Sequence, residues 1–298
     1  LDIFNVTFLE TKATEILGVV VIDILISHEC AKKALELYLN HRPGRLIRAL
    51  IYTHWHVNHF GGAGAIVEVA GADLPIYAPG GFFDHVVSEN SYAGSAMLRR
   101  SIYIYGTSLE RGQIGTRIRL ATSLSKTSFV PPTINIMMTG QSAVIDSLEI
   151  VFQVTPDTEA PAEMNFFFPQ YNDLRMAENA VHCIHSMQTL RGALVRDAPL
   201  WSRYLDESIV LFSSDSEAVF SSHHWPTWDK ENISTFLSQK RDLYAYLHNE
   251  TFRQLNNGNT GLRMLRISSC LLPWTISGVP EVTMEVLVIT LKRYTIGT

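Results

Sequence analysis

Cysteine is scarce in this 298-residue chain. The three present, Cys30, Cys183 and Cys270, lie far apart and form no CxxC pair. A disulfide framework is therefore not expected, and a reducing, cytoplasmic compartment is favoured over an oxidising one, though no residue fixes a localisation. Basic charge is also lacking. Lys and Arg number 24 against 29 Asp and Glu, a formal net charge of -5, which argues against a nucleic-acid partner. No apolar run reaches the ~18 residues of a membrane span. The N-terminus lacks the basic-then-apolar order of a secretion signal. The chain begins at Leu1 rather than Met, so a missing N-terminal segment is expected and the absent signal carries little weight.

What is present is a large apolar fraction, 46% of residues, enough for a sizeable core. Leu17 to Leu25 (LGVVVIDIL) and Leu46 to Tyr52 (LIRALIY) are β-branched apolar runs that suit strands buried on both faces. Glu29 to Leu39 and Ala63 to Ala70 read as helices, and Leu74 to Tyr77 as a short strand. This β-α-β-α rhythm points to a layered α/β architecture. Gly81 to Gly112 reads as a helical excursion and Thr116 to Thr139 as a long loop. Val144 to Val154, Met164 to Phe168 and Ala218 to Ser221 read as further strands. Asp197 to Asp206 and Asp229 to Arg253 read as helices.

The strand ending at Thr53 runs directly into His54-Trp55-His56-Val57-Asn58-His59-Phe60-Gly61-Gly62. Three imidazoles in one tight loop can be aimed at one point, and neutral imidazole is the commonest metal ligand. Zinc suits such a set because it accepts mixed nitrogen and oxygen ligands. Gly61 and Gly62 allow a sharp turn into the next helix. The plainer alternative, a group of surface histidines, sits poorly with a buried strand immediately before it. His28, His41, His85, His182, His185 and His248 read as structural or exposed.

This segment resembles the HxHxDH motif of the metallo-β-lactamase superfamily, with Asn58 in place of the aspartate. Longer segments resemble the alkylsulfatases within it: APGGF from Ala78, SENSYAGSAMLRR from Ser88, Tyr105-Gly106, TEAPAEM from Thr158, MAEN from Met176, TLRGALVRD from Thr189, HHWPTW from His223 and QKRDLYAY from Gln239. The resemblance covers roughly Leu17 to Gly261. It implies a four-layer αβ/βα sandwich with a partial helical extension at the C-terminal end. It also implies a binuclear centre, usually zinc, that hydrolyses alkyl sulfate esters by a metal-activated water. Carried over position by position, His54, His56, Asn58, His59, Glu159, Glu178 and His223 match the metal positions, with Glu178 bridging and Glu178 and His223 also in catalytic positions. Glu163 stays open as an alternative to Glu159, and His224 as an alternative to His223. Arg191 and Arg196 match the sulfate-contacting arginines. His185 is kept in view because it lies near the expected sulfate pocket. Tyr92, Met97 and Tyr105 are candidate walls for the alkyl tail, with core packing as the alternative.

Several departures accompany the resemblance. Asn58 replaces a charged ligand by a neutral amide, which implies a weakened second metal site. Asp157 stands where the family has glycine in a Pro-Gly-Thr turn. Trp55 replaces a small residue and could crowd the pocket. On the family plan, residues 1–228 form the catalytic domain and 229–262 a helical stub of a dimerisation region, the family being homodimeric. Residues 263–298 depart from the family altogether. Codons can be chosen so that a shifted frame spells a family-like sequence, so this stretch is read as an aberrant, frameshifted tail. Two rivals remain: an impaired pseudoenzyme or fragment, and a metallo-hydrolase of another ester class.

Overall fold

The computed structural model describes residues 4–11, 17–102, 123, 125–185, 187–189, 191–260 and 263–264. Two sheets stack face to face. The first contains β1 (Thr7–Thr11), β2 (Gly18–Ile22), β3 (Leu46–Ile51), β4 (Ile76–Pro79) and β5 (Ile134–Ile136), in sequential order. β1 is antiparallel to β2, and β2 to β5 are parallel. Helices α1 (His28–His41), α2 (Val57–Phe60), α3 (Ala63–Ala70), α4 (Phe82–Val87) and α5 (Gly94–Ser101) follow these strands, and Ser88–Tyr92 forms a π-helical turn between the last two. The second sheet runs β11-β10-β9-β8-β7-β6, made of β6 (Ser142–Ile145), β7 (Leu148–Val154), β8 (Met164–Phe168), β9 (Asp173–Arg175), β10 (Ala218–Phe220) and β11 (Thr227–Trp228). It is antiparallel except where β9 and β10 run parallel. Helix α6 (Ala198–Ser208) and the long α7 (Lys230–Asn256) complete the set.

Alternation along the strands builds three cores. Val20 and Ile22 of β2 and Ala49 and Ile51 of β3 face inward. They meet Ile150 and Phe152 of β7 and Met164, Phe166 and Phe168 of β8. Val21 and Leu50 face the other way, onto Ala31 and Leu35 of α1 and Ala65 and Ile66 of α3. On the far side, Phe167 and Leu174 pack against Trp201 and Leu205 of α6 and Ile233, Leu237 and Tyr244 of α7. The layers are therefore helix, sheet, sheet, helix, as the resemblance implied. Each buried Phe or Leu contributes roughly 1.5–3 kcal/mol.

Most expected elements are present, with revisions: β1, β9 and β11 are short strands not expected, and the stretch Thr116 to Thr139, expected as loop throughout, contains β5. The stretch Val144 to Val154 is two strands joined by a tight hairpin, with Asp146 and Ser147 both left-handed (φ 49 and 72). That is the backbone of a type I′ turn, formed here without the glycine that usually announces it. Residue Tyr105, most of the stretch 103–124 and nearly all of 263–298 lie outside the described residues.

Between β7 and β8, Asp157 adopts φ 62, the left-handed geometry that the family's glycine at this turn would accommodate without strain. Asp157→Gly is expected to stabilise the fold by up to about 1 kcal/mol, read as a higher urea midpoint at unchanged m-value. A lower midpoint would show that Asp157 contributes more through its side chain than it costs in backbone strain.

Candidate metal centre

One edge of the sandwich collects the ends of several strands. β3 ends at Ile51, Tyr52 and Thr53 remain buried, and fully buried His54 follows. His54 is joined sideways to Glu163 by an isolated antiparallel bridge. His56 begins α2 and His59 lies within it. The segment after β2 runs alongside: the Ile24 N–H donates to the His59 carbonyl (2.9 Å) and the Gly62 N–H to the Leu25 carbonyl (3.0 Å). Gly61 and Gly62 have ordinary negative φ, -60 and -93. Their requirement is room rather than conformation. A Cβ on Gly61 would lie 2.1 Å from the Ile26 carbonyl oxygen, and one on Gly62 2.3 Å from that of Ile24.

The second sheet supplies the rest. Glu159 lies in the loop between β7 and β8, Glu178 in the loop after β9 and His223 in the loop after β10. Parallel pairing of β9 with β10 brings the last two loops out side by side. Ala177 (φ 43) and His224 (φ 65), the neighbours of Glu178 and His223, are left-handed, as is Asp23 (φ 52) beneath the histidine loop. Such geometry is costly for residues with a Cβ and persists where surrounding structure enforces it. Here the Ser222 N–H donates to the Ala177 carbonyl at 2.8 Å, which ties the two loops together.

Glu178 is where the groups meet. Its Oε1 lies 2.7 Å from His59 Nε2, 2.8 Å from His223 Nε2 and 3.8 Å from His54 Nε2. Its Oε2 lies 2.6 Å from His185 Nε2. Two overlapping triads have ligand atoms within 4.8 Å of one another: His54, His59 and Glu178, and Glu178, His185 and His223. Glu159 Oε1 adds a second carboxylate, 3.6 Å from His56 Nδ1 and 3.3 Å from His185 Nε2. His54 Nε2 and His56 Nδ1 are 3.0 Å apart.

These atoms fit a cation better than they fit one another. Both ring nitrogens of His59, and Glu159 Oε2, are buried without an aligned hydrogen-bond partner, although carboxylate oxygens stand 3.0 and 2.7 Å from the His59 nitrogens. Donors that converge on a common point, rather than along each other's hydrogen-bond axes, leave room for an ion between them.

The sequence model of the metallo-beta-lactamase superfamily matches residues 5–131. A linear primary-alkylsulfatase from Pseudomonas sp is 42% identical over 265 residues, covering 87% of this chain and 39% of that protein. Alkyl/aryl-sulfatase BDS1 of Saccharomyces cerevisiae is 39% identical, covering 87% and 41%. The solved stereoselective inverting sec-alkylsulfatase Pisa1 from Pseudomonas sp. superposes with a TM-score of 0.85 at 32% identity, covering 98% of this chain and 48% of that one. This chain is a metallo-β-lactamase-superfamily protein of the alkylsulfatase family. It spans about 40% of the length of the curated relatives it matches.

Of the residues singled out in this alkylsulfatase-family sequence, His54, His56, His59, Glu159, Glu178 and His223 come together. Asn58, half-buried at the second position of α2, enters none of the cluster contacts among the described residues. Arg196 is buried against Glu159, its Nε donating to the Glu159 carbonyl (2.8 Å) and its Nη2 to the carboxylate. Arg191 pairs with Glu89 at 3.4 Å. Trp55 is buried in the helix-side core, stacked on His85 with centroids 5.5 Å apart, and its ring lies 4.9 Å from that of His56. Tyr92 is 88% exposed and Met97 is buried.

Two residues have a place here that the sequence did not give them. His185, kept in view only as a neighbour of the expected sulfate pocket, belongs to the second triad. Asp23 lies behind the ligands: its Oδ1 accepts from the Thr53 N–H (2.9 Å), and its Oδ2 accepts from Arg175 Nη2 (2.6 Å) and faces His59 Nδ1 at 3.0 Å. Thr53 Oγ1 lies 2.9 Å from His54 Nδ1. These partners hold the Nδ1 side of two rings and turn each Nε2 towards Glu178.

Burial pushes His54 and His56 well below the ordinary histidine range, which keeps them in the neutral, ligating form. Burial acts the same way on His59, but the Asp23 carboxylate and then Glu178 outweigh it and raise it to about 9. His185 is likewise carried well above its usual value by Glu178 against burial. Burial drives Glu178 up, and His223 and His185 more than reverse it, leaving its carboxyl well below the usual range.

The metal-free protein should therefore lose stability as pH rises. A native His59 near 9 holds a proton that the unfolded chain, near ~6.5, has released. Its stabilisation is fully present below that lower value and is lost as pH rises through about 9. Glu163, raised to about 8 by burial and by Glu159 and Glu178, acts in the same direction. Bound cation requires the deprotonated ligands, so affinity rises over the same interval. Melting curves between pH 6.5 and 9, with chelator and with zinc, should diverge with rising pH. A chelated protein that becomes more stable over that range contradicts this assignment.

Proposed function

We propose that this chain hydrolyses alkyl sulfate esters to alcohol and sulfate at a two-zinc centre. The observation that carries the reading is the Glu178 carboxylate, shared by two potential ligand groups at the position that bridges the metals in the family. His54, His56, His59, Glu159, Glu178 and His223 would hold the two ions, with Asn58 at the position of the family's aspartate ligand. When bound, the cations lower the pKa of a water molecule and stabilise charge developing on the ester. The names of its relatives support a sulfate ester as the substrate class.

The chain's own residues orient that ester. Arg196, buried and paired with Glu159, and Arg191, paired with Glu89, both bear electrostatically on His56 and so stand beside the cluster. Planar guanidinium groups match the oxygens of a sulfate monoester.

A second reading, an impaired relative, is favoured by Asn58 alone. A neutral amide cannot offset cation charge as a carboxylate does, so the second ion should bind less tightly. Purified chain supplied with zinc and dodecyl sulfate is expected to release sulfate, and metal analysis to find one tight and one weak zinc. Asn58→Asp should tighten the weak site and raise kcat. Two tight zincs in the unaltered chain would refute the role given to Asn58. Two bound zincs without sulfate release would refute the sulfatase reading. Arg191→Ala should raise KM for dodecyl sulfate roughly tenfold, the loss of a charge-assisted contact, while an unchanged KM would remove Arg191 from the substrate site.

A further inference from the structure

Glu163 is a fully buried acid of this edge that the proposed reaction does not use. It stands beside Glu159 and Glu178, and a third carboxylate among two others carries a large repulsive cost unless something specific holds it. The sequence alone left it as a possible substitute ligand for Glu159. Its oxygens are committed elsewhere. Oε2 accepts from the Glu159 N–H (3.1 Å) and the Ala160 N–H (3.3 Å), and the Thr158 hydroxyl lies 2.8 Å away. Oε1 accepts from the Glu178 N–H at 3.1 Å. Neither ligand triad includes it.

Its main chain is equally committed. Glu163 forms the isolated bridge with His54, its carbonyl accepts from the Thr155 N–H (2.9 Å), and the next residue's N–H donates to the Thr53 carbonyl (3.1 Å). One residue therefore touches three ligand-bearing segments: the histidine loop by its backbone, and the Glu159 and Glu178 loops by its two carboxylate oxygens.

We propose that Glu163 is a positioning residue that sets the separation of the carboxylates of Glu159 and Glu178, by tying both of their backbone N–H groups to one side chain. The peptide N–H of each ligand glutamate is satisfied by Glu163, and each side chain projects to the cluster from that anchored position. A glutamate side chain suits the task because its two oxygens together meet three peptide N–H groups, those of Glu159, Ala160 and Glu178. Glutamine keeps one acceptor oxygen and sets its NH2 against a peptide N–H, so one loop is released. Aspartate keeps both oxygens but falls one methylene short of spanning both loops. The inference rests on Glu159 and Glu178 being metal ligands, and it makes no demand on which ester is cleaved.

Zinc affinity, measured by chelator competition on the whole chain, tests it apart from activity. Glu163→Gln should bind zinc roughly 10–100-fold more weakly, the usual effect of removing a group that orients ligands. It should retain the same number of zinc equivalents at saturation, and Glu163→Asp should recover part of the loss. Glu159→Gln serves as the contrast and should lose ligation outright. Unchanged affinity in Glu163→Gln overturns the proposal. So does the loss of one full zinc equivalent, which would make Glu163 a ligand. If Glu163→Gln does not fold, hydrogen exchange in the unaltered chain decides. The amides of Glu159, Ala160 and Glu178 should stay protected after zinc is removed, because Glu163 holds them without it, and rapid exchange at these amides in the metal-free protein contradicts the proposal. Failure of the sulfatase reading is separate, since it would show as intact zinc binding without sulfate release.

Discussion

A single carboxylate faces four imidazoles at this edge of the sandwich. Glu178 is nearly inaccessible to solvent, and its two oxygens are approached by His54, His59, His185 and His223. A buried charge in that setting must be neutralised, and the protein does so either by protonating His59 and His185 or by admitting cations. Much of the surrounding structure keeps this carboxylate in place. The left-handed backbone at Ala177, the tie from Ser222 to that residue and the parallel pairing of β9 with β10 all fix the loop that carries it.

Two polar networks extend that control into the body of the fold. Asp23, Arg175, Thr53 and Ser222 join the end of β2, the end of β3 and the second sheet behind the histidines. On the other side, Asn179, next to Glu178, donates to Thr155 Oγ1 (2.9 Å) and Asn165 Oδ1 (3.0 Å), and Asn165 donates in turn to Gln153 (3.0 Å). The Trp201 indole donates to the Asn179 carbonyl at 2.9 Å, linking α6 to the same loop. Buried networks of this kind hold together only when nearly every member is satisfied. The metal centre is thus seated in the cores of both sheets rather than laid on a surface.

The parts of this arrangement that were legible in sequence are those with a local signature. β2 and β3 are apolar runs long enough to announce strands, and His54, His56 and His59 follow one of them at a spacing that only a loop could bring to one point. Glu159, Glu178 and His223 carry no such pattern. They were reached through their resemblance to family segments, and the fold then placed them together. Asp23 and Glu163 were illegible as partners because their side chains meet groups remote in sequence, the Glu178 N–H for Glu163 and Arg175 Nη2 for Asp23. The Asp146-Ser147 hairpin escaped because two non-glycine residues take left-handed geometry there. β9, at three residues, is too short for periodicity to mark it.

The central claim is that Glu178 is shared between two cation sites. Anomalous diffraction from zinc-loaded crystals tests it most directly. The account predicts two peaks, one strong and one weaker, within the cluster of His54, His56, His59, Glu159, Glu178 and His223, each about 2.0–2.2 Å from its ligand atoms and each reached by an oxygen of Glu178. Ordered zinc bound elsewhere, or bound here without either oxygen of Glu178, would contradict it.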